Sequence, residues 1–243
     1  MNRAVPMFTI VMLHLITSCA SVAGIHARAL EHNTAGVGHL KENRLDQARN
    51  RFELALEYNA KYPEPLNNLG VIALRQGDQD KALAYFSRAV DLNPDFAEAL
   101  NNLGWCYLLK NDVKKAEARF ISALAVDPDY LAARVNLSRA QFTLKKYDEA
   151  RATLVKILEI NSADRESRNL IALVHRYQGR VADAIAELNR VIAEDPRDAP
   201  AHHNLGNILL GLQRYEEAAT HFRAALDNNP LSAKSRTNLA VCL

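Results

Sequence analysis

Eight histidines and three cysteines are the side chains of this 243-residue chain best equipped to hold a metal or act as nucleophiles. The histidines form no His-Glu-x-x-His pair. His202 and His203 are adjacent, so on a helix they point to different sides and cannot converge on one ion. Cys19, Cys106 and Cys242 are too few for a disulfide framework. There is no Gly-x-Ser-x-Gly elbow and no glycine-rich phosphate loop. Carboxylate pairs such as Asp148-Glu149 and Glu216-Glu217 read as a solvated helical face. These patterns lead us to expect no enzyme activity, no catalytic residues, no metal, no cofactor and no small-molecule substrate. Thirty basic residues balance 28 acidic ones for a net charge of +2, and no lysine or arginine run suggests a nucleic-acid partner.

Cys19 has a more specific setting. The segment Met1 to Ser18 reads MNRAVPMFTIVMLHLITS, with Arg3 near the start and an apolar stretch from Phe8 to Ile16 interrupted by His14. That stretch is shorter than the ~20 residues a spanning helix needs, so a signal peptide fits better than an anchor helix. The junction Ile16-Thr17-Ser18-Cys19 resembles the bacterial lipoprotein signal: an aliphatic residue, two small ones, then the acceptor cysteine. The resemblance implies a signal peptide over residues 1–18, acylation of Cys19 as the first mature residue, and a tether over residues 19–28. Ala20 in place of Asp implies the outer membrane, with the protein on its periplasmic face. Two or more acyl chains on one cysteine would hold firmly, where a single chain binds marginally. The alternative is an ordinary signal peptide cut near Ala20 to Ala23, with Cys19 discarded.

A third set of residues has the chemistry of recognition. Asn68, Asn102, Asn136, Asn204 and Asn238 lie 34 residues or a multiple of 34 apart, with Leu170 interrupting the row and Thr34 at the corresponding place of the first unit. Asparagine is a middling helix former, so local propensity does not ask for it repeatedly. Its amide donates and accepts, and can pair with a peptide N–H and C=O together. Alternatively, the same amides stabilise packing between neighbouring repeats. Asn67, Asn101, His203, Trp105, Arg139 and Tyr177 lie close by. Trp105 is the only tryptophan, a residue type that often dominates binding energy, with partial burial as its other reading.

The elements that must position these side chains follow from the same period. Pro94, Pro128, Pro196 and Pro230 are spaced by multiples of 34, dividing the chain into units 29–62, 63–96, 97–130, 131–164, 165–198 and 199–232, with residues 233–243 beginning a seventh. The twentieth place is always alanine (Ala48, Ala82, Ala116, Ala150, Ala184, Ala218). Four residues on stand Phe52, Phe86, Phe120, Leu154, Leu188 and Phe222. Each first half carries a large-small pair: Leu69-Gly70, Leu103-Gly104, Leu137-Ser138, Ile171-Ala172, Leu205-Gly206 and Leu239-Ala240. Small residues let two antiparallel helices approach closely, and an alanine with an aromatic four residues on makes one apolar stripe.

This pattern resembles the tetratricopeptide signature over residues 29–243. The resemblance implies an all-α fold, a right-handed superhelix of antiparallel helix pairs whose first helices line a concave side. The asparagine spacing looks like the ladders by which some such solenoids grip an extended chain. Cys106 and Cys242 share the tenth place of repeats four apart and read as small buried hydrophobes beyond disulfide reach. Ala60 and Ser162 replace the proline after units one and four, and His32, Ala35 and His39 mark unit one as a loosened cap. Leu239, Val241, Cys242 and Leu243 make an apolar finish.

A lipoprotein junction followed by six and a half such repeats resembles the outer-membrane pilotin lipoproteins of type IV pilus systems, the social gliding motility lipoprotein among them. That resemblance implies a protein partner, an outer-membrane secretin. A periplasmic adaptor for cell-wall enzymes or another pilus or secretion system is one alternative. The targeting arm of a multi-chain transferase is another.

Overall fold

The computed structural model describes residues 26–243, which form helices and turns with no strand among them. The helices come in pairs. Helix α1 (26–41) pairs with α2 (Leu45–Tyr58), α3 (Pro63–Arg75) with α4 (Gln79–Leu92), and α5 (Ala97–Leu109) with α6 (Val113–Val126). Then α7 (Leu131–Thr143) pairs with α8 (Tyr147–Ile160), α9 (Arg165–Tyr177) with α10 (Val181–Glu194), and α11 (Ala199–Gly211) with α12 (Tyr215–Asn228), before α13 (Ala233–Cys242). The chain divides into two compact units, one ending at Pro128 and the other running over Asp129–Leu243. Within each, a repeat packs its second helix on the first helix of the next, as α4 does on α5 and α10 on α11. First helices also meet their successors: α3 touches α5, and α9 touches α11. Three residues assigned to the tether from sequence, 26–28, already belong to α1.

The core of each repeat is the junction of its two helices. All six alanines at the twentieth place are fully buried, and so are Phe52, Phe86, Phe120 and Phe222. A Cβ placed on Gly104 would lie 2.6 Å from Cε1 of Phe120, so the ring occupies the space that any larger residue would need. Gly36 with Phe52, Gly70 with Phe86 and Gly206 with Phe222 repeat that relationship. Where a leucine replaces the ring, at Leu154 and Leu188, the small partner gains a Cβ, as Ser138 and Ala172. The atypical first unit therefore has the same internal lock as the others.

Two turn types set the period. After each first helix the fifteenth residue is left-handed: Asn43, Gly77, Asn111, Lys145, Gly179 and Gln213 have φ between 58° and 81°. The next N–H reaches back five residues, as Asp112 to the Tyr107 carbonyl at 2.8 Å, and that of Asn111 reaches Leu108 at 2.9 Å. This pair of bonds is the Schellman arrangement, which satisfies the last carbonyls of the helix. After the second helix, the side chain of Asn59, Asn93, Asn161 or Asp195 accepts the N–H two residues on, at 3.0–3.2 Å. These Asx turns explain why Ala60 and Ser162 can stand where other repeats have proline: the side-chain bond closes the turn without it.

Candidate functional site

The predicted recognition residues lie on the first helices, and the structure shows what their side chains hold. Asn68 on α3 donates through Nδ2 to Oδ1 of Asn33 on α1 at 3.2 Å, and Asn102 on α5 donates to Oδ1 of Asn67 on α3 at 2.9 Å. Each bond joins the sixth place of one repeat to the fifth place of the repeat before. The chain of bonds continues, with Asn33 donating to the Tyr62 hydroxyl at 3.4 Å and Asn67 to Glu98 at 3.0 Å. Asn67 is only 1 % exposed, so its amide has exchanged water for these partners and the bonds hold the repeats in register. An asparagine has more donor and acceptor capacity than one such bond uses, and Asn68 and Asn102 remain half-buried.

In the second unit the pattern changes with the residue at the fifth place. His203 stands there in the sixth repeat, and its Nδ1 lies 2.8 Å from the Ser235 hydroxyl. Asn238 therefore bonds instead to Asn207, one turn on, at 2.6 Å, and Asn207 reaches Nε2 of His203 at 2.9 Å. Asn204 is half-buried beside Pro200 and Lys234 in a cleft of about 220 Å³. Asn169, on α9, bonds Asp198 at 3.4 Å. Asn136 is half-buried on α7 and Asn101 is buried on α5.

The remaining candidates separate by environment. Trp105 is half-buried on α5. Arg139 pairs with Glu166 of the next repeat, a surface pair of small energetic weight. Tyr177 is 58 % exposed, stacks on Tyr147 at 5.7 Å and meets the edge of Phe142 at 5.4 Å. Three rings from two repeats thus form one aromatic patch, with Arg176 over Tyr177. Cys19, the predicted acylation site, lies outside the described residues. Cys106 is a buried, free thiol whose pKa burial pushes up to about 11, which makes it an inert packing residue.

Two features were not anticipated from sequence. Asn33 takes part in the amide chain although Thr34 occupies the sixth place of its repeat, because the acceptor comes from the fifth. His202 and His221 face each other with their Nδ1 atoms 2.9 Å apart, and Nε2 of His202 lies 3.1 Å from the Pro196 carbonyl. Since Nε2 of His202 must donate to that carbonyl, its Nδ1 accepts in the neutral ring and His221 donates. Burial, and then the neighbouring His202, push the pKa of His221 down. A separation of 19 residues carries no helical periodicity; packing of the second helix on the first brings the fourth and twenty-third places of a repeat together, as it does for Arg168 and Glu187 in the repeat before. Among the described residues no three His, Cys, Asp or Glu side chains converge as a metal site.

Comparison with known proteins accounts for the architecture. One tetratricopeptide-repeat family model matches residues 33–95, 70–120, 169–233 and 203–243, and a second matches residues 110–174. The tetratricopeptide repeat-containing protein trd-1 of Caenorhabditis elegans is 27 % identical over 100 residues, 41 % of this chain but 12 % of that protein's length. Among solved structures, pilF of Pseudomonas aeruginosa superposes with a TM-score of 0.73 at 17 % identity, covering 90 % of this chain and 99 % of that one. YrrB, described as a TPR protein with an unusual peptide-binding site, gives 0.64 at 24 % identity, covering 79 % and 98 %. MamA from Desulfovibrio magneticus gives 0.63 at 20 %, covering 71 % and 97 %. With matches running from residue 33 to residue 243 and helix pairs locked alike in every repeat, this chain belongs to the tetratricopeptide-repeat family.

Proposed function

We propose that this protein is a non-enzymatic binding scaffold tethered to the outer membrane through Cys19, and that it assists assembly or localisation of a type IV pilus secretin. The observation that carries the scaffold reading is that all described residues are spent on repeats. Each repeat adds a first helix bearing amides, rings and charges at fixed places. Stacked repeats offer an extended surface suited to another polypeptide. The tether rests on the Ile16-Thr17-Ser18-Cys19 junction. The pilus role draws on the joint layout of junction and repeats, with the likeness in fold to pilF as support.

The test has two arms. Cells expressing the full chain are labelled with a fatty-acid probe, which should mark the native sequence and not Cys19→Ala. The tethered protein is then isolated by affinity, and the secretin of the pilus system should copurify. Equal labelling of both sequences ends the tether. Labelling without the secretin ends the pilus role and leaves a lipoprotein adaptor for another envelope system.

A further inference from the structure

The second unit contains a polar cleft, away from the asparagine row, between α8, α9 and α10. It has a volume of about 360 Å³. Arg151 and Val155 come from α8, Arg168 and His175 from α9, and Glu187 and Arg190 from α10. Three nitrogens buried here have no hydrogen-bond partner: Nε of Arg151, Nε of Arg168 and Nδ1 of His175. His175 is only 7 % exposed, so its Nδ1 is held from water as well as from the protein. Buried polar atoms are rarely left in this state, and three in one cleft mark a place where a partner group belongs.

The charges say which group. Glu187 is shared by Arg168 at 3.3 Å and Arg190 at 2.9 Å. Arg151 has no carboxylate within ion-pair distance among the described residues. Glu159 also lines the cleft, so three arginines face two carboxylates and one positive charge is left over. Burial first, then the positive charges of Arg180 and Arg151, lowers the pKa of His175, outweighing the opposing pull of Asp183 and Glu187. A guanidinium Nε can only donate, so the two arginine atoms call for an acceptor. The cleft also has an apolar wall of Val155, Leu158 and Ile171, which a bare inorganic anion would leave unused.

We propose that this cleft binds an acidic side chain of a protein partner, its carboxylate set against Arg151 and His175 and a neighbouring apolar residue set against Val155 and Leu158. The site is separate from the first-helix row and independent of the tether and of the secretin, so either can fail without the other.

The test uses the full chain and follows the Cε1–H resonance of His175 by NMR. Three probes are added: acetyl-Leu-Glu-Leu-amide, acetyl-Leu-Gln-Leu-amide and inorganic phosphate. The Glu peptide should shift the resonance saturably and raise the pKa of His175. The Gln peptide should bind at least about tenfold more weakly, as charge-assisted bonds to the arginines are lost. Arg151→Gln should weaken the Glu peptide by a similar factor while leaving the melting temperature unchanged, since Arg151 makes no ion pair to lose. Arg151→Lys, which keeps the charge but not the fork, should fall between the two. Equal affinity for the Glu and Gln peptides, no saturable shift, or full binding by Arg151→Gln would each overturn the proposal. Saturation by phosphate alone would overturn it too, by making the cleft a site for a free oxyanion.

Discussion

Gly104 and Phe120 occupy one another's space: the ring edge of Phe120 lies 2.6 Å from where a Cβ on Gly104 would stand. A helix Gly normally costs about 0.5–1 kcal/mol relative to Ala, so glycine here is retained for the close approach of α5 to α6. Gly104→Ala is expected to destabilise by about 1–3 kcal/mol through overpacking, despite its better helix propensity. Phe120→Leu alone should destabilise through the cavity it leaves. The double substitution recreates the pairing that the fifth repeat uses natively, Ala172 with Leu188, and should be more stable than the sum of the singles predicts. Urea unfolding of the four proteins checks this, and strict additivity would contradict it.

Ala116, wholly buried on α6, tests the register on the other helix of the same repeat. Ala116→Leu should cost about 1–3 kcal/mol, because the extra methylenes enter a filled space. Lys114 is exposed on the same helix, and Lys114→Leu should lie within about 0.5 kcal/mol of the native protein. Matching thermal shifts for the two would mean the faces are misassigned.

Lys145 and Gln213 hold φ of 62° and 61° where the second and fifth repeats use Gly77 and Gly179. A side chain in the left-handed region costs about 1–2 kcal/mol, partly offset by the larger entropy glycine loses on folding. Lys145→Gly and Gln213→Gly should each stabilise by about 0.5–1 kcal/mol. Lys145→Val, β-branched in the same conformation, should destabilise, and calorimetry distinguishes the signs.

Asn102→Ala removes the donor to a buried acceptor on Asn67 and should lower stability by about 1–3 kcal/mol. Asn68→Ala should act in the same direction between the first and second repeats. Measured together with partner affinity on a triple Asn68, Asn102 and Asn136 to Ala variant, this separates the two roles of the row. A loss of stability with affinity falling only in step assigns the amides to register. Affinity lost from a protein that melts normally assigns them to the ligand.

His175, His203 and His221 all have pKa values lowered from the usual 6.5, with burial the largest cause in each. The unfolded chain therefore takes up protons at higher pH than the folded one, and stability rises with pH wherever that difference holds. The contribution is complete above about pH 6.5 and is lost as pH falls from there towards the depressed folded values. Melting temperature should drop between pH 7 and pH 5. A variant with all three histidines changed to Gln should show a shallower drop over the same range, and an unchanged slope would remove these histidines as the cause.

The sequence by itself determined the repeat. Alanines, aromatic residues and small residues recur every 34 places because every helix pair solves the same packing problem, so the fold and the buried faces were readable from one line of text. It also placed the asparagine row on the first helices. What that row holds was open, because an amide has the same donors and acceptor whether it meets a ligand or a neighbouring repeat. Only the stacking that brings Asn102 to Asn67 supplied its partner. The left-handed turns were hidden for a related reason: glycine marks two of six, and in the other four the flanking helices and their back-reaching bonds impose the conformation on Asn, Lys or Gln. His202 and His221 stand at the same two repeat places as Arg168 and Glu187, yet neither which groups meet there nor the unpartnered nitrogens of Arg151, Arg168 and His175 could be read from the period. Those were decided by the tertiary structure, since they depend on which side chains two helices, or three at the cleft, bring to one point in space.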